Sequence, residues 1–160
     1  QIQLYHPLGM SSTGLSVSEM AGRQVVPYER MFGVLAQTHV EDPRWDRWHI
    51  GGAGLRSTVP NLVQFLIAHK NGGRAHNDGR GSSYRLLQPE TVAFPHRQVV
   101  QGGGDLMMVG TGMGWSHHTN EVREMWGKMI DLRGMEGHRG AESGYRASMF
   151  LVEGNEGSYG

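Results

Sequence analysis

The strand that decides the fold class is Tyr145-Arg146-Ala147-Ser148-Met149-Phe150-Leu151-Val152. Successive side chains of a strand point to opposite faces. One face carries Tyr145, Ala147, Met149 and Leu151, and the other carries Arg146, Ser148, Phe150 and Val152. Because both faces become apolar toward the end, the pattern predicts a strand that is covered on two sides.

Working outward, Thr111–His117 and Trp126–Ile130 are also predicted strands, and the three stretches together indicate an antiparallel meander. The turn residues 153–157 predict a further strand beyond them, so we expect an unpaired sheet edge at the end of the chain.

Helices are predicted on both sides of a polar loop. Thr58 begins the clearest one as its N-cap, Leu62, Phe65, Leu66 and His69 follow at helical spacing, and Gly72-Gly73 ends it. A shorter helix is predicted with Pro89 in its first turn and Pro95 as its terminator. Residues 1–10 are predicted to contain the end of a helix and the segment that follows it. The sequence therefore predicts an α+β fold, an antiparallel sheet flanked by helices.

Composition excludes several classes of function. The 160 residues suit one domain, and 15 basic against 15 acidic residues give no net attraction to nucleic acid. No apolar run is long enough for a membrane span, and residues 1–25 lack the basic-then-apolar order of a signal peptide, so the compartment stays open. The chain has no cysteine, which excludes disulfides, thiolate nucleophiles and cysteine zinc sites.

Nine histidines raise the alternative of a metal protein. No H-E-x-x-H motif is present, and His117 and His118 point to opposite faces of a predicted strand. We therefore expect no metal and no other cofactor, and we interpret the histidines as surface or partly buried polar groups. Nucleophile-elbow, dinucleotide-binding and phosphate-loop motifs are absent too.

Four stretches, taken in order, carry a resemblance to a known superfamily. They are residues 5–13 (YHPLGMSST), 51–58 (GGAGLRST), 86–92 (LLQPETV), and 112–115 (GMGW) followed by 137–146 (GHRGAESGYR). Together they resemble the C-terminal half of the class C beta-lactamase-like serine hydrolases, which include penicillin-binding proteins, D-aminopeptidases and lactamase-fold esterases. The resemblance implies a partial beta-lactamase/transpeptidase-like fold, with residues 1–160 forming a single partial domain truncated at both ends.

Such enzymes combine S-x-x-K, Y-x-N and a strand motif, K-T-G or H-x-G, at one cleft. The two lysines, Lys70 and Lys128, follow Ile67 and Met125 at the serine spacing, so S-x-x-K is absent, and none of the five tyrosines begins Y-x-N. We therefore expect the nucleophile and its base to lie upstream, in the missing N-terminal part of the same domain, and this chain alone to be inactive.

The third motif is present as His138-Arg139-Gly140. The resemblance assigns the catalytic wall to His138, Gly140 and Ala141, with the Ala141 N–H as one oxyanion donor. An imidazole in place of the lysine loses a permanent positive charge near neutrality, which favours an esterase- or peptidase-like parent over a penicillin-hydrolysing one. Arg139 or Arg146 would restore that charge as substrate-binding residues.

The resulting hypothesis is part of a serine hydrolase that forms an acyl-enzyme on a small-molecule ester, an amide or a peptide. The alternative is a non-catalytic binding or scaffold module of the same fold. Family resemblance makes a periplasmic or secreted location compatible with the sequence.

Overall fold

A computed structural model describes eleven segments of the chain. They are residues 4–15, 22–38, 54–75, 84–97, 100–101, 110–111, 114–118, 122–125, 128–131, 134–142 and 144–152. The strands are β1 (Tyr28–Met31), β2 (Val34–Gln37), β3 (Val100–Gln101), β4 (Gly110–Thr111), β5 (Ser116–His118), β6 (Val122–Met125), β7 (Lys128–Asp131), β8 (Met135–Glu142) and β9 (Tyr145–Val152). The helices are α1 (Val59–Lys70) and α2 (Pro89–His96).

The main sheet has five antiparallel strands in the order β3-β4-β5-β8-β9. Strands β6 and β7 form a separate antiparallel pair, inserted in sequence between β5 and β8, and β1 and β2 form another pair near the start of the chain. Helix α1 contacts β9. The α+β class, an antiparallel sheet with helices beside it, is thus confirmed.

Strand β9 has the bounds predicted from the sequence, Tyr145–Val152. It pairs with β8 along its whole length, from Met135↔Val152 to Glu142↔Tyr145. Among the described strands β9 is the last of the sheet, and the unpaired edge stays a prediction. Met149, Phe150 and Leu151 are half-buried while Val152 is exposed, so the covering of the two faces is only partial. The predicted turn at residues 153–157 lies outside the described residues.

Two other strand predictions are wrong in their bounds. The stretch Thr111–His117 is not one strand, because β4 and β5 pair with each other in antiparallel register, Thr111 opposite Ser116. Gly114 between them has φ +83, a left-handed conformation that interrupts an extended chain. The stretch Trp126–Ile130 contains three of the four residues of β7, since that strand starts at Lys128 and its partner β6 ends at Met125.

Helix α1 begins and ends with the predicted signals. The Thr58 side chain accepts a hydrogen bond from the Asn61 N–H, and Pro60 lies in the first turn. At the other end the N–H groups of Gly72 and Gly73 bond to the carbonyls of His69 and Ala68, at 3.0 and 2.8 Å. These two bonds form the Schellman pattern, which needs the left-handed conformation that glycine adopts at low cost.

The second predicted helix also forms, with one difference at its end. Pro89 lies in the first turn of α2 as expected. Pro95 is inside the last turn and the helix ends at His96, so Pro95 is not the terminator. A proline near the end of a helix removes one backbone bond without breaking the turns before it.

The start of the chain completes a small core against α1. The N–H groups of Gly9 and Met10 bond to the carbonyls of His6 and Tyr5, again the Schellman pattern, which agrees with the predicted helix end. The core cluster is Leu8, Met10, Ala68 and Ala75, with Tyr5, Phe65 and Leu86 packed around it.

The buried side-chain amide of Asn61 fixes the start of the chain to helix α1. Asn61 Oδ1 accepts hydrogen bonds from Ser12 N at 2.8 Å and from Thr13 Oγ1 at 3.2 Å. Helix α1 therefore holds residues 4–15 by both apolar and polar contacts. None of the helices in the described segments has the length and hydropathy that crossing a membrane requires.

Candidate active-site wall on strand β8

The predicted site residues His138, Gly140 and Ala141 lie on the second half of β8, and all three are exposed. The structure places no side chain from the described residues over them at hydrogen-bonding distance. His138 is opposite Met149 and Gly140 is opposite Ala147 in the register with β9. Directly opposed residues share a face, so His138, Gly140, Ala147 and Met149 form one surface, in which Met149 is half-buried and the other three are exposed.

The edge of β8 opens at His138. On the side away from β9, strand β5 pairs with Met135, Glu136 and Gly137 and goes no further. Pairing ends there because Trp115 packs against the rings of His69 and His96, at centroid distances of 5.1 and 4.3 Å, and Gly114 then turns the chain. Among the described residues, no strand pairs with residues 138–142 on this side. An extended substrate can add to such an edge through backbone hydrogen bonds.

The two glycines of β8 have different roles. A Cβ at Gly137 would collide with the ring of Phe150, so this position needs glycine for packing. A Cβ at Gly140 would meet only the Ala147 Cβ, at 4.0 Å, an ordinary contact. The described residues therefore give no packing reason for glycine at 140, and the space above it is open to a ligand.

Arg139 and Arg146 are not brought together with His138. Odd-numbered residues of β8 face the other side of the sheet, where the Arg139 guanidinium lies 5.5 Å from the centre of the Phe150 ring. Arg146, opposite Ala141, is exposed on that same side and donates a hydrogen bond to the Tyr145 carbonyl at 2.7 Å. Their role in substrate binding stays a prediction. Neither arginine lies on the same face of the sheet as the His138 imidazole.

The β1–β2 hairpin borders the far end of this strand pair. The Gly144 N–H donates to Glu29 Oε1 at 3.0 Å, and the Tyr145 hydroxyl donates to the Val25 carbonyl at 2.9 Å. A Cβ at Gly144 would approach Thr38 Oγ1 to 2.6 Å, so hairpin and turn fit closely. Partial burial raises the pKa of Tyr145, against an opposing effect of Arg56.

A network of histidines lies at the other end of β8, and no sequence motif revealed it. It joins His69, His96 and His117 to Glu136, the residue two before His138 on the same face. The described residues contain no group of three or more acidic or histidine side chains arranged to hold a metal ion. The prediction that the histidines are surface or partly buried polar groups holds for the half-buried His69 and His96. It is wrong for His117, which is buried at 8% exposure.

Comparison with known proteins finds similarity to solved structures but not to family models or curated proteins. A scan against protein-family models and a search of curated proteins each find no match. The solved structure of an octameric penicillin-binding protein homologue from Pyrococcus abyssi superposes with a TM-score of 0.64 at 16% identity. The match covers 94% of this chain and 29% of that one, so the chain spans less than a third of the neighbour's length. At this identity the likeness concerns the fold: the chain has a distant penicillin-binding protein-like, beta-lactamase-like fold.

Proposed function

We propose that this chain contributes one wall of the active site of a serine hydrolase that acts on an ester, an amide or a peptide through an acyl-enzyme. The observation that carries the proposal is the open edge of β8, which begins at His138 and is exposed above Gly140. The similarity of the fold to a penicillin-binding protein homologue supports it.

In this proposal the attacking hydroxyl comes from a serine outside these residues. Its oxygen bonds to the substrate carbonyl carbon while its proton passes to the accompanying base, which later protonates the leaving group, and the carbonyl oxygen takes up the electron pair as an oxyanion. The Ala141 N–H and the N–H of the nucleophile donate hydrogen bonds to that oxyanion. The intermediate collapses with loss of the alcohol or amine, which takes a proton, and water then cleaves the acyl-enzyme by the same route.

The side chains of this wall have separate roles. Gly140 leaves room for the substrate to lie against the strand, and His138 offers an imidazole to the polar part of the substrate from the same exposed surface. A histidine carries no permanent positive charge and so selects for a carboxylate less than a lysine does, which favours an ester or peptide substrate over a penicillin.

The experiment compares this chain with the same protein extended upstream, each treated with a fluorophosphonate probe. We expect covalent labelling of the extended protein and none of residues 1–160, because the probe reacts with an activated serine. A fluorescent penicillin, run in parallel, should label the extended protein more weakly than the fluorophosphonate does. Labelling of residues 1–160, or a folded extended protein that stays unlabelled by both probes, would contradict the proposal, and the second result would favour a non-catalytic binding module.

A further inference from the structure

Four titratable side chains from four different elements form one connected chain of polar contacts. His69 Nδ1 of α1 lies 3.0 Å from His96 Nε2 of α2. His96 Nδ1 in turn contacts Glu136 Oε2 of β8, and His117 Nδ1 of β5 lies 3.2 Å from Glu136 Oε1. The network thus connects both helices to two neighbouring strands of the sheet.

The contacts fix the proton positions when Glu136 is ionised. A carboxylate only accepts, so His96 donates from Nδ1, and His117 Nδ1 lies close to the other carboxylate oxygen. A neutral imidazole that donates from Nδ1 has a bare Nε2, and His96 Nε2 therefore accepts from His69 Nδ1. One arrangement of neutral imidazoles satisfies every contact of the network.

The network has room for few additional protons. If His69 and His96 were both charged, two N–H groups would face each other across the 3.0 Å contact, so the pair holds one extra proton at most. His117 Nε2 is buried and has no hydrogen-bond partner among the described residues.

We propose that this network is a pH-sensitive latch, in which neutral imidazoles tie α1 and α2 to β5 and β8 and acidification loosens both helices from the sheet. The latch holds the strand that carries His138, Gly140 and Ala141, but its action does not depend on any catalytic role for them.

The surroundings of His69 set the direction of the effect. Burial, and then the neighbouring His96, lower the pKa of His69 from 6.5 to about 4. Between these values the unfolded chain binds a proton at His69 and the folded chain does not. Stability is therefore lost as the pH falls from about 6.5 toward 4 and is regained as it rises.

Among the described residues, the charged and titratable groups that contact the latch are its own four members. His69 faces it from α1, His96 from α2, His117 from β5 and Glu136 from β8. On β9 the residue opposite Glu136 is the apolar Leu151, and the remaining rings are those of Phe65 and Trp115.

The test on the wild-type protein is an NMR titration of the imidazole nitrogens. We expect His69 to stay neutral at pH 5, in the tautomer protonated at Nδ1. If His69 is charged at pH 5, the latch is refuted. This measurement needs no variant, so it does not depend on the folding of one.

A paired variant measures the effect on stability. His69→Gln keeps an N–H for His96 but removes the titrating group, and His6→Gln removes an exposed histidine instead. Between pH 7.5 and pH 5 we expect the Tm of the wild type and of H6Q to fall by roughly 4 °C more than that of H69Q. Equal falls in all three proteins would overturn the proposal.

Discussion

Replacing Gly73 with alanine is expected to lower the free energy of unfolding by about 4 kcal/mol, a large loss for one added methyl group. Gly73 has φ +85, and an added Cβ would meet the backbone carbonyl carbon of Leu87 at 2.9 Å and Val92 Cγ2 at 3.0 Å. Because the Leu87 carbonyl is backbone, no rotation of a side chain relieves this collision.

The position matters because Gly73 connects the two helices. Its N–H donates a hydrogen bond to the Ala68 carbonyl at the end of α1, and its carbonyl accepts one from Leu86 N, which lies just before α2. Urea denaturation measures the loss, and Gly9→Ala is the matched control. Gly9 has φ +67 and no atom within 4 Å of an added Cβ, so it isolates the backbone cost of about 1 kcal/mol. Equal losses at both positions would show that Leu87 does not constrain Gly73.

Gly137→Ala is expected to lower the free energy of unfolding by about 3 kcal/mol, while Gly140→Ala changes it by less than about 0.5 kcal/mol. The two glycines lie on the same strand, three residues apart, but only Gly137 is covered by the ring of Phe150. The new methyl group would displace that ring and the Arg139 guanidinium above it.

Thermal unfolding of both variants provides the measurement. A loss of about 3 kcal/mol corresponds to a fall in Tm of roughly 6–12 °C for a chain of this length. A fall at Gly140→Ala as large as at Gly137→Ala would mean that position 140 is packed, and the open surface proposed for the substrate would not exist.

The sequence predicts long, regular elements better than short ones. Helix α1 has an N-cap, a helical period of apolar residues and a glycine stop, and β9 has eight residues. Each local sequence pattern is therefore long enough to identify its element. Strands β4 and β5 have two and three residues, too few for an alternating pattern. The pair Gly112 and Gly114 was the available sign that the stretch Thr111–His117 turns back on itself.

In the candidate site, too, residues that are neighbours in sequence could be predicted, and residues that are far apart in sequence could not. His138, Gly140 and Ala141 are neighbours in sequence, so a motif reveals them. His69 and Glu136 are 67 positions apart and come together only because α2 brings His96 between them. No spacing rule predicts such a network, since its members share no element; nine histidines in a chain without cysteine were the only hint.

The central claim, that the open edge of β8 is the wall of a hydrolase site, is tested most directly by a pair of valine variants in the upstream-extended protein. Gly140→Val fills the space above the edge, and Ser148→Val, on the opposite face of the same hairpin, is its control. Both should keep the wild-type Tm within about 2 °C. We predict that fluorophosphonate labelling of G140V slows at least about 10-fold while S148V reacts at the wild-type rate; equal rates for the two variants would contradict the claim.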